Sequence, residues 1–320
     1  MNRNLTCLLL LSLIPMTGCF GKRGTPVAPD EAVALEIRKL IAPGDGGPLI
    51  TEIPTPVGFV DMTGTIRIQG TAPTLPPLQV TRDQNVCGAG SVPNPGLVVG
   101  ANGALANVLV YLDDKKLFNK TNLANPAWVH PMYDVTKNPK LKTKLFDQKK
   151  CEFLNRVFTI RTSQQMIIKN SDPVGHNTAL RPTSGASAFD QTIPSNAQVA
   201  HNVGKASPRP FPVSCAIHPW MGAWMITRDD PYFATTDATG SFKIEKIPAG
   251  AAAKDGEPAK PIIIPFRFWH EGNNIRKNMI VSAKVNRVDQ KWNNSGKIKL
   301  KFEVGKPLNI EIVIAADTLK

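Results

Sequence analysis

The sequence predicts an all-β protein, and three observations lead there. Short β-branched and apolar runs alternate with polar residues, as in Thr65-Ile66-Arg67-Ile68 and from Lys297 to Val304, which is the period of a half-buried strand. The chain of 320 residues holds 28 prolines and 24 glycines, a frequency that suits many turns better than a helical bundle. No long helical period appears after Ala42.

The N-terminus reads differently. Met1-Asn2-Arg3-Asn4 is a short positive start, and Leu5 to Pro15 is largely apolar, so residues 1–18 form a signal-peptide pattern. Met16-Thr17-Gly18-Cys19 then resembles a bacterial lipobox. The resemblance implies that Cys19 is lipidated as the first residue of an exported protein anchored in the cell envelope, on the periplasmic or outer-membrane side. Ordinary secretion is the alternative. Residues 19–57 are rich in Pro and Gly and read as a tether. It holds one short helix, capped by Asp30, with Val33, Ile37, Leu40 and Ile41 on one face.

The formal charge of +13 describes a basic, solvated surface or a docking face for acidic partners. Nucleic acid is a poor partner. The Lys-rich stretch from Lys137 to Lys150 has few interleaved aromatics, and export separates it from DNA and RNA.

From Phe59 onward strands follow one another. They include Ala106 to Leu112, Thr159 to Arg161, Gln165 to Lys169, Pro212 to Ser214, Trp224 to Thr227 and Leu308 to Val313. Asp237-Ala238-Thr239-Gly240 is a turn that predicts a hairpin between Thr235 and Phe242. The stretch from Lys254 to Lys260 reads as a surface loop.

One constellation carries chemistry. Cys215-Ala216-Ile217-His218-Pro219-Trp220-Met221 places a thiolate, an imidazole and a thioether within a single inter-strand loop. A fourth ligand must come from elsewhere, and His176, after the strand Met166-Ile167-Ile168, is the candidate. Copper(I) prefers soft sulfur whereas copper(II) prefers nitrogen, so two histidines, a cysteine and a weak methionine satisfy both states. Structural zinc sites rarely use methionine. No ligand position is left for substrate, and no Ser/His/Asp order, phosphate loop or paired carboxylates emerge, so the reading is not an enzyme. His130, His201 and His270 lack this context and read as surface or core residues. With Cys7 removed in the leader, Cys19 lipidated and Cys215 on the metal, Cys87 and Cys151 remain; they form a disulfide or stay as two buried thiols.

His176-Asn177, Cys215, His218 and Met221 resemble the cupredoxin family, the plastocyanin, pseudoazurin and amicyanin group, and the short Cys-x2-His-x2-Met loop is most similar to amicyanin. The resemblance implies one type 1 copper ion. His176, Cys215 and His218 would be strong equatorial ligands, with Met221 axial and Asn177 tying the two ligand loops together. It also implies His218 as a solvent-edge electron port, with Pro219 and Trp220 as an apolar docking patch.

A second resemblance surrounds the first. Gly64-Thr65-Ile66, Ala106 to Tyr111, Thr235 to Ile244 and Ile247-Pro248-Ala249-Gly250 look like a prealbumin-like module of the carboxypeptidase regulatory type. A cupredoxin domain at 145–230 is therefore expected as an insertion between sandwich halves 58–144 and 231–320, with a simple tandem as the alternative. Envelope proteins labelled methylamine-utilization proteins are similar in order, including Trp269-His270-Glu271. Their pattern carries a proline-histidine segment after the first domain cysteine, whereas here Cys151 to Arg156 has no histidine.

The function expected is an envelope-anchored, single-electron carrier that exchanges with a redox protein such as a c-type cytochrome. The alternatives are an adhesive or scaffold protein with a structural or vestigial copper site, and copper storage or delivery. For the last, the eight methionines form no cluster.

Overall fold

Alternation in Pro56–Gln69 builds the longest strand, with Val60, Met62, Ile66 and Ile68 turned inward. The computed structural model describes residues 53–253 and 257–319. The leader, Cys19, the tether helix and part of the Lys254 to Lys260 loop lie outside the described residues. The strand already begins at Pro56, within the stretch read as tether. Among the described residues no helix is long and apolar enough to cross a membrane.

Pro56–Gln69 pairs antiparallel with Ser241–Ala251 and parallel with Leu308–Ala315. Ile280–Val285 and Val288–Asp289 complete this first five-stranded sheet. Gly64 permits the close approach, because a Cβ there would stand 2.6 Å from the Ile310 carbonyl oxygen and from the Phe242 ring. The second sheet runs Phe233–Thr235, Leu109–Leu112, Ile262–His270 and Asn273–Asn274, with Lys297–Phe302 also on Ile262–His270. Met62, Ile66, Leu112, Phe266, Phe302 and Ile310 belong to the one core shared by these sheets. The chain on both sides of 143–228 thus supplies strands to the same two sheets.

Residues 143–228 make two sheets of their own. One runs Phe189–Ile193, His176–Leu180, Phe211–Ser214, Gly222–Arg228 and Val157–Arg161, the last pair parallel. The other runs Gln198–Asn202, Gln165–Asn170, Thr143–Lys149 and Glu152–Phe153. Their side chains interleave in a second core that includes Phe146, Phe158, Met166, Leu180, Val213 and Met225. The chain is all-β, with helices of a single short turn among the described residues.

Three expectations need correction. The boundary at 144/145 cuts through the strand Thr143–Lys149. The short strands Leu78–Gln79 and Ser91–Val92 and the turn Gln84–Cys87 pack on the second core, although they precede Leu109, because Val80 and Cys87 are buried there. Asp237 to Gly240 does turn, with the Gly240 N–H donating to the Asp237 carbonyl at 2.9 Å, but no hairpin forms. Phe233–Thr235 pairs with Leu109–Leu112 and Ser241–Ala251 with Pro56–Gln69, so the turn is a corner between sheets. Thr236 fixes that corner: its hydroxyl donates to the Leu105 carbonyl at 2.7 Å and accepts from the Val108 N–H at 2.9 Å.

A third, small cluster joins the two sandwiches, with Leu109, Tyr111 and Trp269 against Val157 and Ile226. Polar links run beside it. Glu271 accepts from Arg156 Nε at 3.0 Å and Nη2 at 2.9 Å, and from Trp224 Nε1 at 3.2 Å. Arg228 donates to the Leu112 carbonyl at 2.7 Å.

His270 is buried at this seam, and burial pushes its pKa down to about 4, with Glu271 pulling it up and Arg156 down. Between about 4 and the ordinary imidazole value the unfolded chain binds more protons than the folded one, so stability falls as pH drops through that window. We expect His270→Leu to remove about 3 kcal/mol of this pH dependence, read as the difference between wild-type and variant urea midpoints at pH 7 and pH 4.

Candidate metal centre

His176 opens the strand His176–Leu180, Cys215 directly follows Phe211–Ser214, and Met221 directly precedes Gly222–Arg228. Strands Phe211–Ser214 and Gly222–Arg228 are paired, so the seven residues from Cys215 to Met221 are a loop across one sheet end. That loop is closed by the Met221 N–H donating to the His218 carbonyl at 2.9 Å and by the Cys215 N–H donating to the Met221 carbonyl at 3.3 Å. Phe211–Ser214 also pairs with His176–Leu180, which brings the distant histidine to the same end.

The result is a buried donor cluster. His176 and His218 are fully buried and Cys215 is 3% exposed. One ring nitrogen of each histidine and the Cys215 sulfur lie within 4.8 Å of one another. The two Nδ1 atoms face each other at 2.8 Å, and Cys215 Sγ lies 3.8 Å from His218 Nδ1. Met221 is buried in the same loop.

Behind the rings stand two carboxylates. His176 Nε2 is 2.7 Å from Asp172 Oδ2, and His218 Nε2 is 2.8 Å from Asp83 Oδ2. A carboxylate accepts, so each Nε2 carries the proton and each Nδ1 is left with a lone pair. Burial holds the His176 pKa below its ordinary value, against the pull of Asp172. Burial by itself would raise Asp172, but the N–H of Cys151, the His176 ring and the N–H of Lys150 outweigh it and hold the carboxyl low. A neutral imidazole with a directed lone pair is what a metal ligand requires.

The thiolate is prepared as well. The N–H of Asn177 and that of His218 point at Cys215 Sγ, at 3.3 and 3.4 Å. The Asn177 side chain accepts from the Ala216 N–H at 3.1 Å and donates to Asp190 at 2.9 Å, so it pins the His176 strand to the Cys215 loop. Two imidazoles and a thiolate with N–H support fit a copper ion that cycles between two oxidation states, because the set offers both soft and borderline donors.

Asp83 and Asp172 were not identified from the sequence. Asp172 stands four residues before His176 and was readable as a local partner; Asp83 lies 135 residues from His218 and gave no local signal. His130 Nδ1 accepts the Met132 N–H in a turn, His201 lies on Gln198–Asn202 and His270 at the seam, so none of the three joins the cluster.

The solvent-edge expectation for His218 is corrected. Its ring is covered by Asp83, and the turn Gln84–Cys87 that follows is fastened by a disulfide between Cys87 and Cys151. Sulfur atoms of that disulfide lie within 4.8 Å of a His218 ring nitrogen. Pro219 is exposed, but Trp220 is 9% exposed and turned inward, its ring 5.1 Å from that of His218.

No family model matches the chain, and no curated protein matches it. Solved structures similar to it include a reduced Cu(I) form of an amicyanin variant (15% identity, 27% of this chain and 82% of that one, TM-score 0.24). Amicyanin from Paracoccus versutus is similar at 20% identity over 27% of this chain and 81% of that one, also with TM-score 0.24. A copper-containing nitrite reductase from Thermus scotoductus SA-01 is similar at 15% identity, over 26% of this chain and 21% of that one, with TM-score 0.24. At these scores the copper reading rests on the donor geometry alone.

Asp172→Asn and Asp83→Asn are each expected to weaken copper affinity by about 10- to 100-fold, measured by competition with a chromophoric chelator. Unchanged affinity in both would show that the carboxylates do not orient the rings. Reducing or removing the Cys87–Cys151 bridge, which spans 64 residues, is expected to cost about 4 kcal/mol in denaturant titration and to make His218 reactive toward diethyl pyrocarbonate.

Proposed function

We propose that this protein is an envelope-anchored, mononuclear type 1 copper protein that carries single electrons and does not itself catalyse a reaction. The observation that carries the reading is the pair of Nδ1 atoms facing each other at 2.8 Å beside the Cys215 thiolate, each ring backed by a carboxylate. Bound among these donors, copper supplies a one-electron couple. His176 and His218 would supply nitrogen ligands, Cys215 a strong sulfur ligand and Met221 a weak one. Asn177 and the N–H groups on Cys215 hold the donors in place, so little rearrangement accompanies a change of charge. Zinc fits this set less well, because a methionine in the ligand loop has no role in a structural zinc site.

The exit for the electron differs from the one that the resemblance implied. Trp220 touches His218 on one side and on the other lines a cleft of about 240 Å3 with Leu78, Pro93, Leu154 and Met221. Leu154 is 56% exposed on its rim. This small mouth, where Asn107, Glu152 and Arg156 stand beside the apolar residues, suits a brief encounter with a redox protein such as a c-type cytochrome, while the chain's net charge of +13 favours an acidic partner. Lipidation at Cys19 would keep the carrier at the membrane that holds its partners. The two outer sheets, built by chain on both sides of the copper module, would be a prealbumin-like host into which that module is inserted.

The deciding measurement is the visible and EPR spectrum of residues 20–320 loaded with copper(II). The expected result is an intense thiolate-to-copper charge-transfer band with narrow hyperfine splitting, absent in Cys215→Ser. A folded protein that stays colourless and takes up no copper would end the electron-carrier reading. Given the band, reduction by a reduced c-type cytochrome should slow in Trp220→Ala far more than in Pro219→Ala.

A further inference from the structure

Two cations near the seam between the sandwiches have no carboxylate in ion-pair contact, although Asp230 and Asp134 act on Arg161 from farther off. Arg161, at the end of Val157–Arg161, is 7% exposed. Its Nη1 donates to the Tyr133 carbonyl at 2.6 Å, and its guanidinium lies 5.8 Å from the Tyr133 ring centre. Lys144 projects from Thr143–Lys149, donates to the Thr159 hydroxyl at 3.0 Å and lies 5.2 and 5.9 Å from the Phe158 and Phe233 ring centres. Among the described residues neither cation has a carboxylate within 4.0 Å.

The acidic groups around them are engaged elsewhere. Glu245 accepts from Lys243 at 2.7 Å, Asp230 from Arg228 Nε at 3.0 Å, and Asp134 from the Thr136 N–H at 2.8 Å. Burial pushes the Lys144 pKa down to about 8, and the neighbouring charge of Arg161 adds to it. Arg161 is a buried cation, and the part-buried Lys144 beside it repels it, so the pair carries an electrostatic cost. Apolar residues of similar length would fill these places with less penalty.

Both cations line one open cleft of about 350 Å3. Lys140 and Lys243 stand on its wall, and Glu245 is its one acidic side chain. Lys243 is already paired with Glu245 and Asp61, which leaves Arg161, Lys144 and Lys140 as the cations that can draw an anion into the cleft. A guanidinium fork matches two oxygens of one group, while an ammonium adds a point charge.

We propose that this cleft binds a small dianionic oxyanion, of the phosphate or short dicarboxylate class, held by Arg161 and Lys144. The ligand would neutralise the buried Arg161 and the part-buried Lys144 and fasten Thr143–Lys149 and Val157–Arg161 to Tyr133 and Phe233 across the seam. The site shares no residue with the copper ligands and stands whether or not copper binds.

The test uses residues 20–320 at pH 7, titrated calorimetrically with inorganic phosphate and with succinate, and with potassium chloride at matched ionic strength as control. Saturable binding of phosphate or succinate is expected, with a higher melting temperature than chloride gives. Lys144→Met should weaken it by about tenfold or more and Lys140→Ala by about threefold, leaving the copper spectrum unaltered. Binding should also raise the Lys144 titration midpoint seen by NMR, a change that general salt effects do not produce. Equal effects of chloride and phosphate, or undiminished binding in Lys144→Met, would overturn the proposal. If that variant does not fold, Lys140→Ala and Lys243→Ala at the exposed wall decide it in the same way. Binding of an acidic peptide where neither small anion binds would overturn it in favour of a protein partner.

Discussion

Two imidazole nitrogens with lone pairs cannot face each other at 2.8 Å in a dry interior unless something positive lies between them or a proton is shared. The rest of residues 143–228 is arranged around that constraint. Asp172 and Asp83 take the far side of each ring, which sends both lone pairs inward. Strand pairing of Phe211–Ser214 with both His176–Leu180 and Gly222–Arg228 brings three ligand-bearing segments to one sheet end. Asn177 and the backbone N–H groups then fix the sulfur relative to the rings. Rigidity of this kind would let one donor set serve both oxidation states of a bound copper ion, because neither state would find its own preferred geometry on offer.

The outer sandwich takes part in that rigidity. Arg156 is gripped at two points by Glu271 and donates onward to the Gly222 carbonyl at 2.6 Å, one residue past Met221. The Trp269-His270-Glu271 segment thus reaches the end of the ligand loop through a single arginine. The Arg228 bond to Leu112 and the small cluster of Val157, Ile226 and Trp269 tie the same strand to the host elsewhere. Disturbance in either sandwich has a short path to the other.

The cover over His218 separates this centre from the pattern that its sequence resembles. Residues 78–92, between the strands Pro56–Gln69 and Leu109–Leu112, cross over to the second core, anchored by Cys87–Cys151, and put Asp83 against the histidine that was expected at the surface. A carboxylate and a disulfide stand on the side of His218 that was expected to face solvent. On the Trp220 side the cleft opens instead, with Leu154 exposed at its rim.

Much was legible in the sequence. Alternating apolar residues and frequent turns determined an all-β chain, and the Cys-x2-His spacing with a strand-end histidine singled out His176, Cys215 and His218, which the fold gathers into one buried cluster, because ligand chemistry dictates residue type and local loop length. Asn177 was legible for the same reason, being adjacent to a ligand. What lay beyond sequence were relations between residues far apart: Asp83 against His218, Glu271 around Arg156, Lys144 beside Arg161, and the corner at Gly240 that reads locally as a hairpin. Strand pairing across more than a hundred residues leaves no local pattern. Burial of a ring, or of a charge, is a property of whatever packs over it, and only the tertiary structure decided that.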